Sequence, residues 1–534
     1  MSQMNSTRIA ELLIQKGVRQ AFGIIGSSNA WLFDAFKKAG ITVTGLHHEQ
    51  ACVMAASGYF KTTLVPAVVI VAAGGGAVNA VTGVASLWAD STPCMILAGQ
   101  ETSGSLENDK SKRMYGMQGV RGHEIVNTIT KFSCVFEKLQ DLETAWGVMT
   151  SGRFGPVWLD VPMDVQTRIT HDSVIPYMAS KDAPTWELDT SQYKRPVILA
   201  GQGVKLSKSE DTLVQINVPV VTSWSAIDIY HPLNFGCPGI YGNRCANKIV
   251  QACDLLIVLG SRLSCMQTGY DFSKFAPNAT IIMVNIDTSD FKGTLNFHMD
   301  CKLVIDQLAT EKFDIDPWID ECKRLNSEFP KLETTHINND TWINSYKFIH
   351  DQLSFFLSNE VIVTDMGTAL LSGHNTIRLK PENTMFSSYG LGEMGYGLPA
   401  SVGAAMSGRH VVCLNCDGSM MMNLQELQTI AAHKLNVKII IFNNDGYLSI
   451  KHTQKMFKCE YTAVDSSTGV KLPNYTKIFQ SFDIPVFEVF EDFMHAQGPA
   501  MYEVFMDPYQ SFSPKVQATK VGDVIIPGTL DHMV

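Results

Sequence analysis

Residues 411–446 read VVCLNCDGSMMMNLQELQTIAAHKLNVKIIIFNNDG. Val411 to Cys416 is an apolar, strand-like run that ends at a turn, Asp417-Gly418-Ser419. Leu424, Leu427, Ile430 and Ala431 then recur on one face of a helix, and a second apolar run, Val437 to Phe442, ends in Asn443-Asn444-Asp445-Gly446. Strand, helix and strand in this order predict a parallel unit whose strand ends emerge on one sheet edge, where open α/β folds hold their ligands. Asp417 and Asn444 are thereby placed to meet around one ion. Mg²⁺ takes about six oxygens and is commonly held by few protein groups plus phosphate oxygens. A carboxylate, a side-chain amide oxygen and a main-chain carbonyl leave room for a diphosphate. Gly418 lets the backbone approach the phosphates, and Ser419 at the helix start helps to bind them. Either tripeptide alone reads as an ordinary turn, because Gly, Asp and Asn collect after strands anyway. The pair, one strand–helix–strand unit apart, favours the metal site.

The rest of the chain repeats this alternation. Of its 534 residues 45% are hydrophobic and 18% charged, which excludes disorder, and 42 Lys+Arg against 52 Asp+Glu exclude a nucleic-acid binder that works through bulk positive charge. The longest apolar run, Leu64 to Ala73, falls far short of the ~20 residues a membrane span needs, and the start reads as a polar lead-in to an amphipathic helix without an export signal. A cytoplasmic protein is expected. The 12 cysteines are scattered among apolar neighbours, as reduced core thiols are; Cys413 and Cys416 have C-x-x-C spacing but lie within a strand, which disfavours a redox or zinc reading. The expected fold class is α/β, three doubly wound parallel-sheet domains in series: residues 1–169, 190–313 and 341–534. A polar passage at 170–194 reads as a linker, and another weakly patterned, charged passage spans about 314–340.

The D-G-S and N-N turns resemble the signature of the thiamine-diphosphate enzymes, G-D-G-S followed downstream by N-N. The resemblance runs along nearly the whole chain and is closest to acetolactate synthase catalytic subunits and related flavin-containing carboligases. It implies that Asp417 and Asn444 ligate Mg²⁺ through their side chains and Gly446 through its carbonyl, with Gly418, Ser419, Tyr447, Thr368 and Ala369 around the diphosphate. Cys416 stands where the family has glycine, which changes a packing volume ahead of the ligand. Leu46-His47-His48-Glu49-Gln50 resembles the family's R-H-E-Q segment, so Glu49 is the implied partner of N1′ on the cofactor's aminopyrimidine; a lone glutamate before a helix is otherwise a capping or solvated group. Gly392-Glu393-Met394-Gly395 resembles the segment whose apolar residue wedges the cofactor into its bent shape, which assigns Met394. Phe22 to Gly26 and Gly74 to Asn79 resemble the loops that line the pyrimidine pocket, including Gly26 and Asn79. In this family the two halves of one site come from different subunits, which implies a homodimer or homotetramer. A non-catalytic binder on a degenerate scaffold is the rival reading, and the retention of Glu49, Asp417 and Asn444 argues against it.

In the middle block Gly201, Gly203, Ser223, Gly239, Arg262, Asp287 and Asp300 fall where acetolactate synthases bind FAD, so a structural, non-redox FAD is expected; relatives that keep this domain without flavin leave an empty scaffold as the alternative. The implied donor is a small 2-oxo acid, pyruvate, and the implied product 2-acetolactate. Several acceptor-side positions depart from the family. Met266 replaces an arginine that engages the acceptor carboxylate, Met163 a lysine, Thr453 a tryptophan and Met117 a phenylalanine, while the catalytic-site glutamine is kept as Gln118. Loss of an arginine removes a charge-assisted contact. Lys451, Arg113 and Arg121 are the candidates to replace that charge. The segment Tyr447 to Gln454 resembles carboligases that acetylate a nucleotide-linked keto sugar, which is the first alternative; simple decarboxylation is the second.

Overall fold

A computed structural model describes residues 3–106, 112–171, 173–178, 189–521 and 524–534. Residues 172 and 179–188 of the expected linker, and the first two residues of the first block, lie outside the described residues. Three all-parallel sheets follow one another along the chain. The first has six strands in the spatial order Thr42–Gly45, Gln20–Gly23, Val68–Val71, Met95–Gln100, Val157–Pro162, Phe132–Val135. The central sheet has five, Val220–Thr222, Pro196–Ala200, Leu255–Leu259, Thr280–Asn285 and Leu295–His298, and the third has six, Thr384–Phe386, Val361–Thr364, Val411–Cys416, Val437–Asn443, Ala500–Phe505 and Val486–Phe487. The inner strands are unbroken apolar runs because helices cover both faces: every residue of Val68–Val71, Leu255–Leu259 and Val411–Cys416 is buried. The α/β expectation therefore holds for all three blocks.

Two segments depart from the expected layout. The charged passage after residue 313 contains the helix Asp316–Glu328, with Pro317 in its first turn; Trp318, Ile319, Cys322 and Leu325 form one apolar stripe that enters the central core. Its many charges sit on the solvent face and mask the period. The end of the chain returns to the central domain as well. Val516 and Leu530 belong to the central core, the Val516 N–H donates to the Ile240 carbonyl at 2.8 Å, and Asn247 Nδ2 donates to the Leu530 carbonyl at 2.8 Å.

The first and third domains meet through the helices Glu49–Thr63 and Gly397–Ala405. A Cβ on Gly58 would lie 2.7 Å from the Ala400 carbonyl carbon, and one on Gly403 2.6 Å from that of Ala55. Only glycine permits this backbone-to-backbone crossing. A buried ion pair secures the same junction: Lys61 Nζ reaches Asp90 Oδ2 at 2.6 Å and the Ser387 carbonyl at 2.7 Å, while Asp90 accepts the Gly390 N–H at 2.7 Å.

Candidate active site

Parallel pairing aligns Thr364 with Leu414 and Cys416 with Phe442, so Asp365, Asp417 and Asn444 all stand at the carboxyl edge of the third sheet. Asp417 is fully buried. Its Oδ1 accepts the Gly418 N–H at 2.7 Å, and its Oδ2 accepts those of Asn444 at 2.8 Å and Gly446 at 3.0 Å. Burial nevertheless pushes the carboxyl up to about 6, against the pull of these three donors. A cation beside the carboxylate would offset that desolvation. Beside it, Asn444 donates through Nδ2 to Thr368 Oγ1 at 3.4 Å, whereas its Oδ1 is buried without any partner. An orphaned amide oxygen costs about 1–3 kcal/mol unless something fills the gap. An oxygen-seeking cation fits both observations. No group of three or more His, Cys, Asp or Glu residues suited to a metal occurs among the described residues.

The neighbouring residues frame this pair. The Tyr447 ring lies where a Cβ on Gly418 would be, and at Gly446, with φ +123°, a Cβ would meet the Val464 carbonyl. The Ala369 N–H donates to Cys416 Sγ at 3.3 Å, so the thiol at the glycine position is a packing and capping group. The Ser419 hydroxyl donates to Asn415 Oδ1 at 2.8 Å and caps its own turn. Asp365, which sequence reasoning did not single out, organises the segment around Met394. It accepts N–H groups from Met366 at 2.7 Å, Gly395 at 3.1 Å and Gly397 at 2.7 Å, and Gly392, with φ +74°, sits against Met366. A carboxylate directly after an apolar strand, Val361–Thr364, was the available signal.

The other half is built on the first sheet. Glu49 opens its helix behind His48, which caps the Gln50 N–H at 3.1 Å, and is buried. Its Oε2 accepts Asn79 Nδ2 at 3.0 Å, and its Oε1 lies 3.1 Å from where a Cβ on Gly76 would be. Gly26 packs on Ala72 at the start of the same loop, and Gln118 Nε2 donates to the Ala73 carbonyl at 3.3 Å. Glu49, Asn79, Gly26 and Gln118 are thus brought to one edge.

A cavity of about 540 Å³ lies where the central domain, which supplies most of its lining, meets Arg153 and Phe154 of the first domain and Tyr389 and Gly390 of the third. Gly203, Ser223, Arg262 and Asp300 line it; Gly201, Gly239 and Asp287 do not. Gly201 is pressed against the Gly260 backbone and Gly239 against that of Met266. Asp287 is drawn to Arg153 Nη1 at 2.9 Å, which also holds Asp290 at 2.7 Å. Tyr389 and Trp224 close the side facing the third domain.

Residues 5–124, 191–308 and 365–508 match, in order, the N-terminal TPP binding domain, the central domain and the C-terminal TPP binding domain of the thiamine pyrophosphate enzymes. The chain belongs to this family. It is 29% identical to the acetolactate synthase isozyme 1 large subunit of Escherichia coli (strain K12), over 95% of each chain. It is 27% identical to a probable acetolactate synthase large subunit of Methanocaldococcus jannaschii, over 97% of this chain and 94% of that one, and 28% to an acetolactate synthase large subunit of Cyanidium caldarium, over 89% and 87%. This thiamine pyrophosphate enzyme is therefore acetolactate-synthase-like over most of its length. No helix among the described residues is long and apolar enough to cross a membrane.

The positions that depart from the family pattern, and the cations near them, are placed as follows in the fold. Met266 lines the central cavity, Met117 is 81% exposed, and Thr453 bonds back to the Ser449 carbonyl at 3.1 Å. Met163 follows Pro162 at a strand end. Lys451 is buried against Asp465 Oδ2 at 3.1 Å, with the Tyr509 ring 5.3 Å away, so its charge is already matched. Arg121 lies over Tyr115 at 4.7 Å and pairs with Glu124 at 3.4 Å. Arg113 is exposed.

Proposed function

We propose that the enzyme is a carboligase that decarboxylates pyruvate and transfers the two-carbon hydroxyethyl unit to a carbonyl acceptor, giving 2-acetolactate when the acceptor is a second pyruvate. The observation that carries this reading is the buried pair Asp417 and Asn444, a desolvated carboxylate beside an amide oxygen without a partner, at the edge of a domain whose N-terminal counterpart presents Glu49 held by Asn79. Asp417, Asn444 and Gly446 would hold Mg²⁺ and through it a diphosphate. Thiamine diphosphate, when bound, supplies the electron sink at which a 2-oxo acid loses CO₂. Glu49 would hold the proton shared with the aminopyrimidine N1′, since Asn79 orients one carboxyl oxygen and leaves the other beside Gly76, where no side chain intervenes. Asp365 would keep the Gly392 to Gly397 segment, and with it Met394, in place.

Among the described residues no hydrogen bond or ion pair joins Glu49, Asn79 or Gln118 to Asp417, Asn444 or Gly446 of the same chain. Exposed apolar side chains flank each half, Ile25, Val78 and Met117 on one and Leu391, Met421 and Met422 on the other. Both features support a homodimer or homotetramer in which one copy completes the other's site. The cavity, its two arginines Arg153 and Arg262, and its aromatic wall support a structural FAD. Purified, reconstituted protein without flavin absorbance, and without stabilisation by FAD, would end that part of the reading.

Met266 in place of a cation, and Lys451 already matched by Asp465, favour an uncharged carbonyl, such as a nucleotide-linked keto sugar, as a second reading of the acceptor. A product assay separates these. Acetolactate from pyruvate alone supports the first reading, carboligation only on addition of a keto sugar supports the second, and acetaldehyde as sole product rejects carboligation.

A further inference from the structure

The strand Met95–Gln100 ends at the same carboxyl edge as Glu49's loop, and the next residue, Glu101, is a buried carboxylate. It sits inside the turn that carries Gln118. Tyr115 and Gly119 exchange backbone hydrogen bonds at 3.0 and 2.8 Å, closing the turn, and Glu101 Oε1 accepts the Gln118 N–H at 3.2 Å from within. The turn is shaped to admit this side chain. A Cβ on Gly116 would collide with the Glu101 carboxylate, and one on Gly119 would lie 2.7 Å from Glu101 Cγ. The preceding Gln100 fixes the far end, donating from Nε2 to the Val120 carbonyl at 2.7 Å and accepting the Glu101 N–H on Oε1 at 2.9 Å. Gln118 itself is exposed and rests on the Ala73 to Gly74 loop, two residues from Gly76. No cation among the described residues forms an ion pair with Glu101.

Among the described residues, then, a buried carboxylate that pairs with no cation stands directly behind Gln118, beside the loop that carries Gly76. Like charges brought together in such a setting oppose binding, and arrangements of this kind set specificity more than overall affinity. We propose that Glu101 positions Gln118 and selects against carboxylate-bearing acceptors, so that the acceptor the enzyme takes most readily is uncharged. This inference rests on the carboligase reading and concerns the same site.

The test uses the full-length enzyme with thiamine diphosphate and Mg²⁺, pyruvate as donor, and two competing acceptors, a second pyruvate and added acetaldehyde. The parent enzyme is expected to favour acetoin over acetolactate. Glu101→Gln keeps an oxygen for the Gln118 N–H but removes the charge, and should shift the product ratio toward acetolactate about tenfold, by a lower KM for acceptor pyruvate. Equal loss of both products, or an unchanged ratio, would overturn the selection claim. Hydrogen exchange on the cofactor-free protein reads positioning separately. The amides of Tyr115, Gln118 and Gly119 should stay protected in Glu101→Gln and lose protection in Glu101→Ala; protection surviving in the alanine variant would overturn it. A parent enzyme that releases no CO₂ from pyruvate would sink the carboligase reading and with it the selection claim, while the exchange measurement would still decide whether Glu101 positions Gln118.

Discussion

Asp417→Asn tests the metal site and the electrostatics around it in one variant. In the cofactor-free protein two effects oppose each other. An amide in place of the carboxylate has one oxygen for three N–H donors, so at least one of Gly418, Asn444 and Gly446 loses its acceptor, at about 1–3 kcal/mol. Against that, burial has raised the carboxyl from 3.8 to about 6, so at pH 7 the ionised form carries a folding penalty of about 3 kcal/mol that a neutral amide relieves. Relief matches or exceeds the loss. The variant without cofactor should therefore be as stable as the parent, or up to about 2 kcal/mol more stable. With thiamine diphosphate and Mg²⁺ the order reverses. A ligand at 100 times its Kd stabilises the parent by about 2.7 kcal/mol. Loss of a residue that merely orients a metal ligand costs 10–100-fold in affinity, so loss of a ligand itself should leave the variant less than about 1.4 kcal/mol at the same concentrations. Thermal unfolding in EDTA and in Mg²⁺ with cofactor reads both halves. An undiminished cofactor-induced shift in the variant would refute Asp417 as the metal anchor, and a fall of more than 3 kcal/mol in EDTA would refute the burial argument.

Glu49→Gln keeps the shape beside Asn79 but cannot hold the proton, so CO₂ release from pyruvate should fall about 10²–10⁴-fold while cofactor binding, followed by calorimetry, stays within a few-fold. Lys61→Met leaves Asp90 buried without its cation and should cost about 3–5 kcal/mol, seen as a lower urea midpoint for the junction of the first and third domains; a change below 1 kcal/mol would refute the latch. His374 is buried with Nδ1 donating to the Leu370 carbonyl at 3.0 Å and Nε2 accepting from the Tyr389 hydroxyl at 2.8 Å, and burial lowers it from 6.5 to about 4. The unfolded chain takes up this proton first, so stability is present above pH 6.5 and declines as pH falls toward 4, by up to about 3 kcal/mol; the difference in Tm between parent and His374→Gln should show that slope.

Much of the enzyme was readable in order along the chain. Unbroken runs such as Val411 to Cys416 imply strands covered on both faces, and the two turns that follow paired strands put Asp417 and Asn444 on one edge, because parallel pairing leaves no other place for them. These are local patterns whose consequences are geometric. The helix Asp316–Glu328 was hidden because its solvent face is so rich in charge that the apolar stripe is a minority of its residues. Other features depended on contacts between residues far apart. Asp365 and Glu101 are each a single acidic residue after a strand, and nothing nearby says that one gathers three N–H groups and the other fills a glycine turn. Lys451 looked available to replace a missing positive charge until Asp465 was found against it. Whether a charged side chain is matched, buried or free depends on which distant groups the fold brings within a few ångströms, and burial then decides how strongly that charge acts.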